Sequence, residues 1–283
     1  MALFRALESA RPAGKALFCD TLAEGFIDHA ARLLVRASAV AALRVPLLAL
    51  FDRSWPGART SAVARTRLID DWVIDGTARG CRQLVLLGAG FDSRPWRLPA
   101  LLDISIFKVD HPSTAAEKSA RIRALGADPS RVVSVPLDFA RDRLLDRLAT
   151  AGFDATKTTM VVWEGVTNYL MDDAVRAVLC WAGTLKPGSR LGFTYVHQGV
   201  LTDPTSFVGA PKILRAVAGK GEPWTFGLLP DAVPGYLAPF GLRLLEDLGA
   251  DDYRARYFGN EATTMRGYSF YRAALAAVTD LDA

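Results

Sequence analysis

Close cysteine pairs are missing from this 283-residue chain. Cys19, Cys81 and Cys180 are odd in number and far apart, which excludes a disulfide framework and the paired spacing of a zinc site. They read as reduced thiols, and no metal is expected. An unbroken apolar run is missing too. The stretch LLVRASAVAALRVPLLALF (33–51) is interrupted by Arg36, Arg44 and Pro46, so it falls short of the roughly 20 apolar residues of a membrane span. The opening MALFRALESARPAGK has neither the apolar core nor the small-residue cleavage site of a secretory signal. A soluble, cytoplasmic protein with no membrane partner is therefore expected. Runs of like charge are also absent: acids and bases interleave to a net charge of +4, leaving no basic face that would predict a nucleic-acid partner.

What the chain does have is a change of rhythm at residue 81. Over residues 1–80, RALESA, TLAEGFIDHAARLLVRASAVAAL and SAVARTRLIDDWVIDGTARG place apolar residues three and four apart, the spacing of helices. Beyond it, the short apolar runs CRQLVLLG, ISIFKVD, RVVSVPLD, TTMVVWEG and SRLGFTYV read as buried strands. Helical stretches such as HPSTAAEKSARIRALG and DDAVRAVLCWAGTL lie between them. Such alternation predicts an α/β fold, Rossmann-like, with a mostly parallel sheet and helices on both faces. We expect one domain, made of a helical cap (1–80), a cofactor-binding core (81–197), a Gly- and Pro-rich lid insertion (198–236) and C-terminal strands (237–283). LRLLEDLG reads as one of those strands and GYSFYRAALAAV, less distinctly, as another.

In a parallel sheet the ligand crevice opens at the carboxyl ends of the strands. Gly88, Ala89 and Gly90 follow the first strand, where missing side chains let the main chain turn sharply and approach a ligand. Asp110 ends the second strand, at a spacing that lets a carboxylate accept both hydroxyls of a ribose. Asp138 ends the third and Glu164 the fourth. The set predicts a nucleoside cofactor. The dinucleotide fingerprint needs a third glycine where Ser93 stands, and bulky Phe91 occupies the loop, so S-adenosylmethionine is favoured over a pyrophosphate cofactor. A nicotinamide-dependent oxidoreductase on a similar sheet and a non-catalytic cofactor-binding protein are the alternatives.

VLLGAGFDSRPWRL, FKVDHP, VPLDF and VVWEGVTNYL, with ARTRLIDD upstream, resemble the leucine carboxyl methyltransferase family and its bacterial S-adenosylmethionine-dependent O-methyltransferases. The resemblance spans roughly residues 3–197 and fades beyond, and the N-terminus reads as abbreviated. It implies a class I methyltransferase fold in which Gly88, Ala89 and Gly90 approach the methionine part of the cofactor. Asp110 would hold the ribose, Asp138 and Phe139 would frame the adenine, and Glu164 would lie near the cofactor's centre. His111 either lines the adenine edge or only starts a helix. Arg65 would pair with the cofactor's carboxylate or with an acid substrate.

The expected reaction is methylation of a small-molecule carboxylic acid or phenol, with secondary metabolism as one source of the acid. A carboxylate acceptor is ionised near neutral pH and needs no strong base. Arg65 is then expected to orient the reactants and Tyr169 to hydrogen-bond near the transferring methyl. A phenol acceptor would need a base, for which His197 is the candidate. Trp55, Trp96, Trp163 and Trp224 could wall an aromatic acceptor or simply fill the core. Trp224 and Phe226 are the expected lid aromatics, and Arg94 and Arg97 are expected to be structural. Oligomeric state leaves no signal in the sequence.

Overall fold

The computed structural model describes residues 1–12, 14–138, 142–263 and 265–279, with backbone alone at 113–117 and 261. Seven strands form one sheet: β1 (Gln83–Leu87), β2 (Ser105–Asp110), β3 (Val133–Pro136), β4 (Thr159–Trp163), β5 (Arg190–Val196), β6 (Leu242–Leu248) and β7 (Tyr271–Val278). Their order is β3-β2-β1-β4-β5-β7-β6. The first five strands pair in parallel, and β7 runs antiparallel to both β5 and β6.

The strand sequences are almost continuously apolar because both faces are covered. Alternate residues of β1 and β4 therefore serve different cores. Val85, Leu87, Val161 and Trp163 pack with the crossover-helix residues Val178 and Leu179. Leu84, Leu86, Met160 and Val162 pack against Leu68, Ile69, Trp72 and Val73. Each large apolar side chain so buried contributes about 1.5–3 kcal/mol.

The helices preceding the sheet are α1 (Ala2–Ser9), α2 (His29–Ala39), α3 (Ala41–Ser54) and α4 (Ala58–Ala78). Short α5 (Arg94–Arg97) follows β1, and α6 (Pro112–Ala124), α7 (Leu144–Thr150) and α8 (Asp172–Gly183) connect the parallel strands. Beyond β5 the chain forms α9 (Gly199–Thr202), α10 (Ala210–Ala218) and α11 (Val233–Leu237), then α12 (Ala250–Phe258) between β6 and β7. Among the described residues no helix is long and apolar enough to cross a membrane.

One local expectation changes. The stretch read as one helix over 21–43 is divided: Asp28 takes an extended conformation and its side chain accepts from Ala31 N at 2.8 Å, starting α2 afresh. At the other end Val40 is extended (ψ 118°), and Ser38 Oγ bonds back to Val35 O at 2.7 Å. The strand expected less distinctly in YRAALAAV is present, although its alanines favour helix in isolation. It forms β7 because a strand between β5 and β6 gains two ladders of hydrogen bonds, and small side chains fit beside neighbours such as Phe193, opposite Ala274.

Candidate active site

The order of the sheet reverses between β1 and β4, since chain connections leave these neighbours in opposite directions. Crevices open at such a switch point. Here the chain leaving β1 turns through Gly88 and Gly90, with φ of 61° and 49°, a region that glycine enters without penalty. Gly88 N donates to Val109 O at 2.9 Å, which pins the turn to the tip of β2. Glu164 and Gly165 emerge beside it from β4. Together they form one side of a cavity of about 540 Å³. Helices α1, α3 and α4, the insertion after β5 and the start of β7 enclose the rest.

The cavity floor is ionic. Glu164 accepts from Arg65 Nε at 3.1 Å and from Arg94 Nη2 at 3.1 Å. Arg94 also donates to Asp70 at 2.8 Å and Asp92 at 2.6 Å. Arg97 grips both oxygens of Asp70 at 2.6 and 2.7 Å. Three guanidinium groups thus face three carboxylates, and such bidentate, charge-assisted bonds offset the cost of burying them. Burial by itself would raise the pKa of Glu164, but Arg94 and Arg65 outweigh it and hold it down to about 2. Arg65 lies 4.3 Å above the ring of Tyr271, a cation–π contact that fixes the guanidinium plane. Burial disfavours the charge on Arg65, yet Tyr271 and Glu164 raise its pKa above the usual arginine value.

Of the residues singled out from the sequence, Arg65, Gly88, Ala89, Gly90, Glu164 and Tyr169 all line this cavity. Asp110 does not. Its Oδ1 accepts from Gly90 N at 3.3 Å and its Oδ2 lies 2.8 Å from Lys118 Nζ, behind the glycine turn. His111 is exposed and Asp138 half-buried, and neither is part of the lining. Asp138 N donates to Asp142 Oδ2 at 2.9 Å. Phe139 lies outside the described residues.

His197 also stands apart from the lining. Its Nδ1 accepts from Gly199 N at 3.0 Å and its ring packs 5.3 Å from Phe207, so it closes a turn. Trp55 and Trp224 line the cavity, whereas Trp163 fills the core and Trp96 Nε1 donates to Asp128 O at 2.8 Å. The expected pairing of Trp224 with Phe226 as lid aromatics is corrected on one side, because Phe226 belongs to the sheet's core. Thr225 N and Thr225 Oγ1 donate to the carbonyls of Asn168 and Leu170, both at 2.8 Å. That clip carries Trp224 to the same end of the sheet as Tyr169.

Reading the sequence missed other walls, among them Phe4, Phe51, Ser61, Ile213, Tyr268 and Tyr271. Their common signal is weak. Phe4 and Phe51 meet edge to face at 5.6 Å although α1 and α3 are separate helices, a contact that no periodicity announces. The role of Asp70 was also missed, although an acid amid the apolar residues of α4 is the mark of a buried ionic partner.

The profile of the leucine carboxyl methyltransferase family matches residues 1–183. An inferred S-adenosyl-L-methionine-dependent methyltransferase of Mycolicibacterium paratuberculosis is 36% identical over 177 residues, covering 61% of this chain and 55% of that protein. The chain thus spans about half the length of that relative. Another from Mycobacterium avium is 32% identical, covering 75% of this chain and 72% of its own length. Among solved structures, an inferred methyltransferase of Thermobifida fusca matches with a TM-score of 0.61 at 18% identity, over 98% of this chain and 94% of that one. A DUF574-family protein of Streptomyces avermitilis matches with a TM-score of 0.57 at 19% identity, over 88% of this chain and 97% of that one. At these identities the two structures speak for the fold alone.

Proposed function

The chain belongs to the leucine carboxyl methyltransferase family, and on that premise we propose that it is an S-adenosylmethionine-dependent O-methyltransferase acting on a small carboxylic acid. The observation that carries this reading is the meeting, in one cavity, of the bare Gly88–Gly90 turn with Glu164 and Arg65. A carboxylate and a guanidinium side by side fit the ammonium and carboxylate of an amino acid moiety. An unadorned main chain beside them leaves room for what the amino acid carries.

S-adenosylmethionine, when bound, would supply an electrophilic methyl on a cationic sulfur, which a carboxylate oxygen could take to give a methyl ester and S-adenosylhomocysteine, the sulfur keeping the electron pair of the broken bond. The chain's part is to bind, orient and exclude water, and orientation can supply about 7–11 kcal/mol of the barrier. Glu164 takes the ammonium while keeping Arg94 as its second partner, and Arg65 turns to the carboxylate. Outside the lining, Asp110 at the tip of β2 would hold the ribose while sharing its Oδ2 with Lys118, with His111 and Asp138 toward the adenine. Tyr169 donates near the transferring methyl.

The lining contains no histidine among the described residues, and His197 is committed to Gly199. A carboxylate acceptor, ionised without help, suits such a site better than a phenol whose proton must leave.

Titration calorimetry tests the cofactor half of the proposal. S-adenosylhomocysteine is expected to bind the purified chain with micromolar or tighter affinity, and NADH to give no heat. The reverse result, or no heat from S-adenosylhomocysteine, overturns it.

A further inference from the structure

Away from the ionic floor the cavity wall changes character. A chain of ring contacts runs from Arg65 to the far end: Arg65 lies over Tyr271, Tyr271 meets Trp224 edge to face at 6.1 Å, Trp224 lies 5.9 Å from Phe270, and Phe270 stacks on Tyr268 at 4.8 Å. Two residues of this ladder combine burial with an unmet polar group. Tyr268 is 4% and Trp224 8% exposed, both line the cavity, and neither the phenol oxygen nor the indole nitrogen has a hydrogen-bond partner among the described residues. Burial alone pushes the Tyr268 hydroxyl up to about 12, so it stays protonated and able to donate.

Several comparable groups elsewhere are satisfied. Tyr195 donates to Asp247 at 2.7 Å, Tyr257 to Asp71 at 2.8 Å and Trp72 to Glu246 at 2.7 Å. The indoles of Trp163 and Trp181 and the amide of Asn168 also lack partners among the described residues, but none of the three lines this cavity. Buried donors left unmatched in a protein are costly, and their place in a ligand cavity points to a ligand that completes them.

The rest of the far end sets the ligand's body. Phe4, Phe51, Trp55 and Ile213 are apolar. Ser61 Oγ is already engaged, accepting from Tyr268 N at 2.7 Å. Lys212 is held outside, donating to Ser54 O at 2.6 Å and lying 4.2 Å over the Trp55 ring. The wall thus offers an indole N–H that can only donate, a phenol hydroxyl whose proton is free to donate, and several aromatic faces. Flat apolar bodies suit aromatic faces, and an oxygen that only accepts suits the donors.

Resting on the methyltransferase reading above, we propose that the far end is an acceptor subsite for an aromatic carboxylic acid. Trp224 Nε1 and the Tyr268 hydroxyl donate to an oxygen substituent on the ring, remote from the carboxylate that receives the methyl. The two residues then decide which acids are taken, while Arg65 and Glu164 decide the cofactor.

Matched acids test this. Acetyl and isopropyl groups have nearly the same shape, but only the first carries an acceptor oxygen. Calorimetry on the chain saturated with S-adenosylhomocysteine would compare 3- and 4-acetylbenzoate with 3- and 4-isopropylbenzoate. We expect a preference of about tenfold or more for the acetyl acid in at least one pair. Tyr268→Phe and Trp224→Phe should each shrink that preference to about threefold or less with S-adenosylhomocysteine affinity unchanged. Should Trp224→Phe fail to fold, Tyr268→Phe, which removes one oxygen, decides alone. Equal binding of the pairs, preference for isopropyl, binding of none of the four acids, or a preference undiminished in Tyr268→Phe overturns the subsite. A wild-type chain that ignores S-adenosylhomocysteine instead overturns the cofactor reading, and the subsite with it.

Discussion

Glu164 and Arg65, 99 residues apart in sequence, bond at 3.1 Å on the cavity floor. Each group is the other's partner, so a zwitterion entering between them exchanges one internal ion pair for two external ones. Arg94 keeps Glu164 aimed during the exchange, because it holds the second carboxylate oxygen.

Removing either charge should therefore weaken S-adenosylhomocysteine binding without abolishing the fold. For Arg65→Ala and Glu164→Gln we expect about 10- to 100-fold weaker binding by calorimetry, the loss of one charge-assisted bond of about 1.5–3 kcal/mol. Affinity unchanged in both variants would remove the floor from the cofactor site.

The same network sets a pH dependence. The Glu164 pKa falls from the ordinary 4.5 to about 2 in the folded chain. A depressed carboxylate contributes stability that is present above the unfolded value and is lost as pH falls through the folded one. Glu164 should thus contribute up to about 3 kcal/mol at neutral pH, disappearing between roughly pH 4.5 and 2. Denaturation monitored across that window should show a shallower decline for Glu164→Gln than for the parent. Parallel slopes would mean that the ion pairs hold no such stability.

The features legible in the sequence were those with local signatures. Continuous apolar strands, the Gly88–Gly90 turn and the acids at strand tips are each written within a few residues, and the sheet follows from their alternation. Glu164 was legible as a strand-tip acid and Arg65 through family resemblance, though not as partners. What stayed hidden depends on contacts between distant segments. Tyr268, Tyr271 and Trp224 meet only because β7 slips between β5 and β6 and the Asn168 carbonyl clips the insertion. Asp110 was read correctly as a strand-tip acid, but its capture by Lys118, eight residues on along α6, needed the helix direction to be known.

Asp70 and Asp71 are neighbours with opposite fates. Asp70 is 2% exposed and holds Arg94 and Arg97, whereas Asp71 pairs at the surface with Arg67 and Tyr257. Asp70→Asn strands buried guanidinium charge and should cost about 3–5 kcal/mol. Asp71→Asn should cost under about 1 kcal/mol. Urea unfolding of the two variants checks this directly, and equal midpoints would mean that the buried network is not what steadies the turn.

Gly88 and Gly90 share a left-handed backbone but differ in what surrounds them. A Cβ on Gly88 would come within 2.5 Å of Val166 Cγ2, whereas on Gly90 the nearest atom is 3.9 Å away. Gly88→Ala therefore adds a clash to the backbone penalty and should destabilise by about 2–4 kcal/mol, partly relieved by Val166→Ala. Gly90→Ala carries the backbone penalty alone, about 1 kcal/mol. Its new methyl would, however, stand beside the cavity that Gly90 lines. If the cofactor needs bare main chain there, Gly90→Ala should lose at least about tenfold in S-adenosylhomocysteine affinity while melting close to the parent. A Gly90→Ala chain that binds as tightly as the parent would show that the ligand does not approach the turn at this residue.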